Sequence, residues 1–111
     1  MTTKEKLLGL QLKQETVQIE GITVIVKEML AGDGSAYDNS LYKIVGNKPI
    51  IQTKDAEIKL VIYSCFDEEG KKLFEIEDIE QAKMMPNHVV EYLYSVAKKL
   101  NNSSKAVAVK N

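Results

Sequence analysis

The chain contains no arginine: all fifteen of its basic residues are lysine. The planar, bidentate fork that proteins favour for guanine edges and phosphates is therefore missing. Sixteen Asp and Glu offset the lysines to a formal charge of −1, so no global field draws the molecule to a polyanion or to an anionic lipid surface. Neither nucleic acid nor membrane is an expected partner. Cysteine is almost absent too. The single Cys65 excludes an internal disulfide, and it lies in the apolar run Leu60-Val61-Ile62-Tyr63-Ser64-Cys65-Phe66, where a free thiol behaves as a small hydrophobe. This usage fits a reducing cytoplasm. No apolar run approaches the ~18 residues of a membrane span, and Met1-Thr2-Thr3-Lys4-Glu5-Lys6 leads into too little apolar sequence for a signal peptide.

Catalytic groups are equally scarce. His88 is the only histidine, so a metal site would have to be built from carboxylates and Cys65, a poor donor set for a transition metal. A solvated histidine in the first turn of a helix is the expected reading. Cys65 has apolar sequence neighbours and no adjacent base to activate it, so a buried structural thiol is expected rather than a nucleophile. Asp67-Glu68-Glu69-Gly70 lacks the alternating oxygen ligands and the later bidentate Glu of a calcium loop. Gly32 and Gly34 lack the lysine-serine ending of a phosphate loop, and no GxSxG, HExxH or CxxC pattern occurs. The chain is therefore expected not to be an enzyme and to need no cofactor.

What is present is an ordinary globular balance, 44% hydrophobic and 28% charged over 111 residues, enough for one packed domain. The expected unit spans residues 1–102, with 103–111 as a flexible C-terminal tail. Thr2 and Glu5 form a possible capping box for a short opening helix. From Leu8 onward Leu10, Leu12, Val17 and Ile19 follow a strand rhythm. Glu20-Gly21 then divides two β-branched runs, predicting a hairpin over 15–29 with Val17, Ile19, Val24 and Val26 against helices. Ser35 is a candidate cap for a helix presenting Tyr37, Leu41, Ile44 and Val45 on one stripe and stopping at Gly46, with 47–52 as a loop. Thr53 is a candidate cap for a strongly buried helix over Ala56 to Phe66, for which a buried strand is the competing reading. A polar turn at 67–70, an extended segment at Leu73-Phe74 and a short helix over Ile79 to Met84 precede Pro86. Pro86 opens a final helix whose inner stripe is Val89, Leu93, Val96, Ala97 and Leu100, with His88, Tyr92, Ser95 and Lys99 opposite. Asn101-Asn102-Ser103-Ser104 is expected to end it. The fold class is thus α+β, mainly α: an N-terminal β-hairpin packed on a small bundle of three to four helices.

Some features point to protein binding. Between residues 67 and 80 there are seven acids against Lys71 and Lys72, a solvated surface or a docking face for a basic partner. Met84-Met85 joins two helices, and Met adapts to varied surfaces. Tyr92 lies opposite its helix's core stripe, and exposed aromatics are enriched in interfaces. Leu10, Leu12, Met84, Met85 and Tyr92 are the candidate partner-binding residues; for Met84, Met85 and Tyr92 core packing or incidental exposure is the competing reading.

Three stretches resemble the tail assembly chaperones of long-tailed bacteriophages, particularly those of phages and prophages of Gram-positive bacteria. The first is Leu7-Leu8-Gly9-Leu10 with Glu15-Thr16-Val17-Gln18-Ile19-Glu20-Gly21, Val24-Ile25-Val26-Lys27-Glu28-Met29 and Ala31-Gly32-Asp33. The second is the Leu60–Phe66 run with Asp67-Glu68-Glu69-Gly70-Lys71-Lys72-Leu73-Phe74. The third is Glu77-Asp78-Ile79 through Pro86, Val89, Leu93, Ala97 and Leu100-Asn101. Agreement is poor over 33–55. The resemblance implies a non-virion protein of the host cytoplasm that binds the tape measure protein, keeps it soluble and recruits the major tail tube protein around it. It further implies a homo-oligomer, in rings or spirals, and the short form of a product that is also extended by translational frameshifting. A head–tail joining or tail completion protein is the principal alternative. A small antitoxin-like or repressor-like regulator is the second, disfavoured by the missing basic face.

Overall fold

The computed structural model describes residues 1–52 and 55–110, with side chains described as far as residue 102. The chain opens with α1 (Thr3–Leu8). The Thr2 hydroxyl accepts from the Glu5 N–H at 3.1 Å while the Glu5 carboxylate accepts from the Thr2 N–H at 3.2 Å, the reciprocal cap expected from the spacing. The strand rhythm read from Leu8 does not hold at its start: α1 carries Leu8, and the ladder begins only with β1 (Gln14–Ile19). Leu8 and Leu10 face solvent, so nothing holds them in a sheet.

Strands β1 and β2 (Ile22–Lys27) pair antiparallel from Ile19↔Ile22 to Gln14↔Lys27. Their two-residue turn puts Glu20 at φ 50° and Gly21 at φ 84°, the double positive φ of a type I′ hairpin. Val17, Val24 and Val26 point inward and are buried, with Ile19 packed at the margin. Helix α2 (Ala31–Ser40) follows, without a side-chain cap. The expected cap Ser35 lies inside it, because the helix starts five residues earlier than predicted, with Leu30 at the cap position.

The largest departure from expectation is the segment 42–51. The helix stops at Ser40, and β3 (Tyr42–Val45) and β4 (Lys48–Ile51) form a second hairpin. Val45 pairs with Lys48, leaving Gly46 (φ 65°) and Asn47 as the turn; glycine at the first central position is the type II′ arrangement. Ile44 and Val45 are thus not on a helical stripe, and every residue of both strands is exposed. Of that stripe only Tyr37 and Leu41 are half-buried, and the Tyr37 ring meets Tyr63 edge-on at 6.4 Å.

Helix α3 (Ala56–Ser64) is the buried element anticipated, with Ile58, Leu60, Val61, Ile62 and Ser64 inaccessible. Thr53, its expected cap, falls outside the described residues; the residue at the cap is Asp55, whose carboxylate instead lies 3.0 Å from the Lys83 ammonium. The helix ends two residues early. Cys65 and Phe66 form β5, which pairs with Val26 and Ile25 and completes a three-stranded sheet in the order β1-β2-β5. A 3₁₀ turn (Ile76–Asp78) and α4 (Ile79–Ala82) lead to α5 (Asn87–Lys110). The core lies where α5 crosses α3 and the inner face of β2, lined by Leu93, Val96, Ala97 and Leu100. Val90 replaces the expected Val89 as its first buried residue; Val89 is only half-buried. The expected loose tail, 103–111, falls outside the fully described residues. The α+β, mainly α architecture, an N-terminal hairpin against helices, matches the sequence-based expectation.

One core atom lacks a partner. The Ser64 hydroxyl is buried with no hydrogen bond among the described residues, and desolvating a hydroxyl without compensation costs on the order of 1–3 kcal/mol. Ser64→Ala is therefore expected to stabilise the fold by about 1 kcal/mol, read as a higher urea midpoint at unchanged m-value.

Candidate protein-binding groove

Three segments far apart in sequence come together around an open apolar groove of about 820 Å³. The hairpin tip contributes Ile19 and Ile22, the segment after β5 contributes Leu73 and Phe74, the α4–α5 connection contributes Met85, and the first turn of α5 contributes Val89. The register at the type I′ turn sets one wall, since Ile22 directly opposes Ile19. Ile22 remains 64% exposed. Leu73 is held by its N–H donating to the Cys65 carbonyl at 3.3 Å. Pro86 precedes the first helical residue of α5, where its missing donor leaves no bond unmade.

The rim is acidic. Glu20 stands at the hairpin tip, and Asp67, Glu68 and Glu69 belong to the opposite lip, with Lys71 among them. The Asp67 carboxylate accepts from the Glu69 N–H at 2.8 Å and the Lys71 N–H at 3.0 Å, and Gly70 adopts φ 86°. The turn is therefore fixed by the Asp67 carboxylate on its backbone N–H groups, which leaves the exposed Glu68 and Glu69 carboxylates toward solvent. Glu69 makes a loose surface pair with Lys71 at 3.7 Å, of little energetic weight. His88 Nε2 lies 3.6 Å from the Glu20 carboxylate.

Of the five candidate partner-binding residues, only Met85 is in this groove. It also lines a smaller cavity of about 500 Å³ beside Asp55 and Lys83 and packs against the core. Leu10 and Met84 are 72% and 82% exposed, Tyr92 is 44% exposed, and Leu12 is half-buried; none of these four lines either cavity. Sequence reasoning missed Ile22 as surface. It also missed Tyr42, Ile44, Val45, Ile50 and Ile51, which form an exposed apolar ribbon. The Gly46-Asn47 pair between β-branched runs was the available signal for that ribbon.

The structure of the chain matches that of the bacteriophage HK97 tail assembly chaperone, with a TM-score of 0.62 and 17% identity over 89% of this chain and 98% of that one. The two share a fold. No protein-family model matches the sequence, and no curated protein matches it.

Chemistry in the rest of the molecule is sparse. Among the described residues no three His, Cys, Asp or Glu side chains are grouped to hold a metal ion, and no helix is long and apolar enough to cross a membrane. Burial pushes the Cys65 thiol from 9.0 up to about 12. Raising an acid's pKa on folding keeps its stability contribution intact below the unfolded value and loses it as pH climbs through the folded one. Stability should accordingly be insensitive to this thiol up to about pH 9 and fall between 9 and about 12. In the native state at neutral pH, iodoacetamide should label Cys65 only at the rate of unfolding, with denaturant restoring ordinary thiol reactivity; rapid native labelling would contradict the buried placement.

Proposed function

We propose that the chain is a non-enzymatic phage tail assembly chaperone that binds the tape measure protein, keeps it soluble and promotes assembly of the tail tube around it. The observation that carries this reading is the shared fold with the HK97 tail assembly chaperone, which extends over nearly the whole of both chains. A protein that holds a long helical client needs exposed apolar or adaptable surface and several copies, so that modest contacts sum along one polypeptide. The groove, the exposed Leu10, Met84 and Tyr92, and the half-buried Leu12 and Met85 are suited to the first requirement. The β3–β4 ribbon is suited to the second: a lone hairpin is marginal in water, and covering its apolar residues with a second copy would stabilise it. In this reading the protein is of the Gram-positive phage type, works in the host cytoplasm as a homo-oligomer and also contacts the major tail tube protein.

Co-expression with a candidate tape measure protein tests the proposal. The client is expected to move from the insoluble to the soluble fraction and to co-purify. Failure of both would refute the reading. Mass spectrometry of purified virions should find the chain absent; stoichiometric presence would point to a head–tail joining or tail completion role. Polar substitution of Leu10, Leu12, Met84, Met85 and Tyr92 together should weaken client binding or self-association, and Ile44→Lys with Ile51→Lys should shift light scattering to smaller species with the helical circular dichroism unchanged.

A further inference from the structure

The groove has an apolar floor and a rim of one predominant sign, and the two features together restrict what can fill it. Its lining combines the apolar Ile19, Ile22, Phe74, Met85 and Val89 with the acids Glu20, Asp67, Glu68 and Glu69, and Lys71 is the one cation among the described lining residues. The acids do not neutralise one another. Asp67 spends its Oδ1 on two backbone N–H groups, while Glu68 is exposed beside it and Glu69 meets only Lys71 at 3.7 Å. Burying further apolar surface here while desolvating these carboxylates would be costly unless the incoming segment supplied cations at the rim. Within the groove an extended peptide could reach only the three-residue Ile22–Val24 edge of β2, because β5 covers the strand at Ile25 and Val26, and so short an edge supports little strand addition. A helix laid into the groove satisfies its own backbone bonds and needs only side-chain anchors.

We propose that this groove binds an amphipathic helix whose apolar stripe is flanked by lysine or arginine, the stripe seating on Ile22, Phe74 and Met85 and the cations on Glu20, Glu68 and Glu69. The assignment rests on the chaperone reading for the identity of the natural client, and locates on the fold where such a client would dock. The charge complementarity sets orientation and selectivity; the apolar floor supplies most of the affinity. A helix of the same stripe with acidic flanks is rejected.

The test uses the full chain and two synthetic amphipathic helices with leucine at i, i+3, i+4 and i+7 spacing, one flanked by lysine and one by glutamate, with binding followed by fluorescence anisotropy. The lysine-flanked helix should bind at least tenfold more tightly than its glutamate twin, with an affinity that falls as salt rises. Ile22→Lys should abolish binding, and Glu68→Lys with Glu69→Lys should reverse the preference. All three positions are exposed, so unchanged circular dichroism and Tm should accompany the loss. Equal binding of both helices, binding of neither, or indifference to these variants would overturn the proposal. So would variants that altered self-association alone, since the groove would then be filled by a second copy. Client solubilisation by the wild type reads the chaperone function separately: solubilisation that survives Ile22→Lys and the double reversal sinks the groove and spares the function. Selective helix binding without solubilisation does the opposite.

Discussion

Ile62→Ala is expected to lower the unfolding free energy by ~3 kcal/mol, whereas Ile22→Ala should change it by less than about 0.5 kcal/mol. The two substitutions remove the same atoms. Ile62 is 2% exposed on α3, within the cluster formed by α3, α5 and β2, so truncation forfeits the transfer free energy and leaves a cavity whose walls relax only in part. Ile22 stands at the hairpin tip and is 64% exposed; truncation there returns little apolar area to water. Against the total of ~5–15 kcal/mol usual for a domain, the Ile62 loss is severe and should appear as a Tm lowered by more than about 10 °C. Both proteins must be compared at one concentration, because self-association would add to apparent stability by mass action. A small effect at Ile62 would mean that α3 is not the centre of the core.

The burial of α3 was legible in the sequence because apolar residues occupy nearly every side of Ala56–Ser64, and a helix apolar all round has to be covered on all sides. The first hairpin was legible for a different reason. Glu20-Gly21 separates two β-branched runs by two residues, and strands joined at that spacing take the type I′ or II′ turns whose positive φ glycine supplies. Residues 41–51 misled because Tyr37, Leu41, Ile44 and Val45 fall at helical spacing while the same residues, with Ile50 and Ile51, bracket a Gly-Asn turn. The decision belongs to packing: α2 (Ala31–Ser40) has no apolar stripe of its own, and β-branched residues favour an extended backbone once no core claims them. The shift from Val89 to Val90 has a similar origin. Either valine continues the stripe through Leu93 and Ala97, and only the position of α3 decides that Val90 goes inward while Val89 lines the groove.

The candidate groove was half legible. Its acidic lip is contiguous, so Asp67-Glu68-Glu69 stood out as a possible face for a basic partner. Its floor is assembled from 19–24, 73–74 and 85–93, segments that no local pattern connects. Met85 is legible by its chemistry, as a flexible thioether between two helices, and lies in the groove. Tyr92 shows only the helical face it occupies, and it is exposed elsewhere on α5, outside the groove.

Asn101 carries the other large expected effect. In the sequence it reads as a helix stop, yet α5 continues through it and its side chain joins two distant parts of the chain. The Met29 N–H, just beyond β2, donates to the Asn101 Oδ1 at 2.9 Å, and the Asn101 Nδ2 donates to the Ala97 carbonyl at 2.8 Å. The first bond closes a loop of more than seventy residues and positions the exit from the sheet against α5. Asn101→Ala would leave the half-buried Met29 amide without this partner, at a cost of ~1–3 kcal/mol, while alanine's better helix propensity returns ~0.5 kcal/mol. The net expectation is a loss of ~1 kcal/mol. Hydrogen exchange gives the sharper readout: the Met29 amide should lose protection by at least about tenfold in Asn101→Ala, with the Val17 and Val24 amides of the hairpin unchanged relative to global stability. Asn101→Asp retains the acceptor and should keep Met29 protected even though it forfeits the bond to Ala97. Protection of Met29 that persisted in the alanine variant would show that the sheet's exit is held by the surrounding packing instead of by this amide.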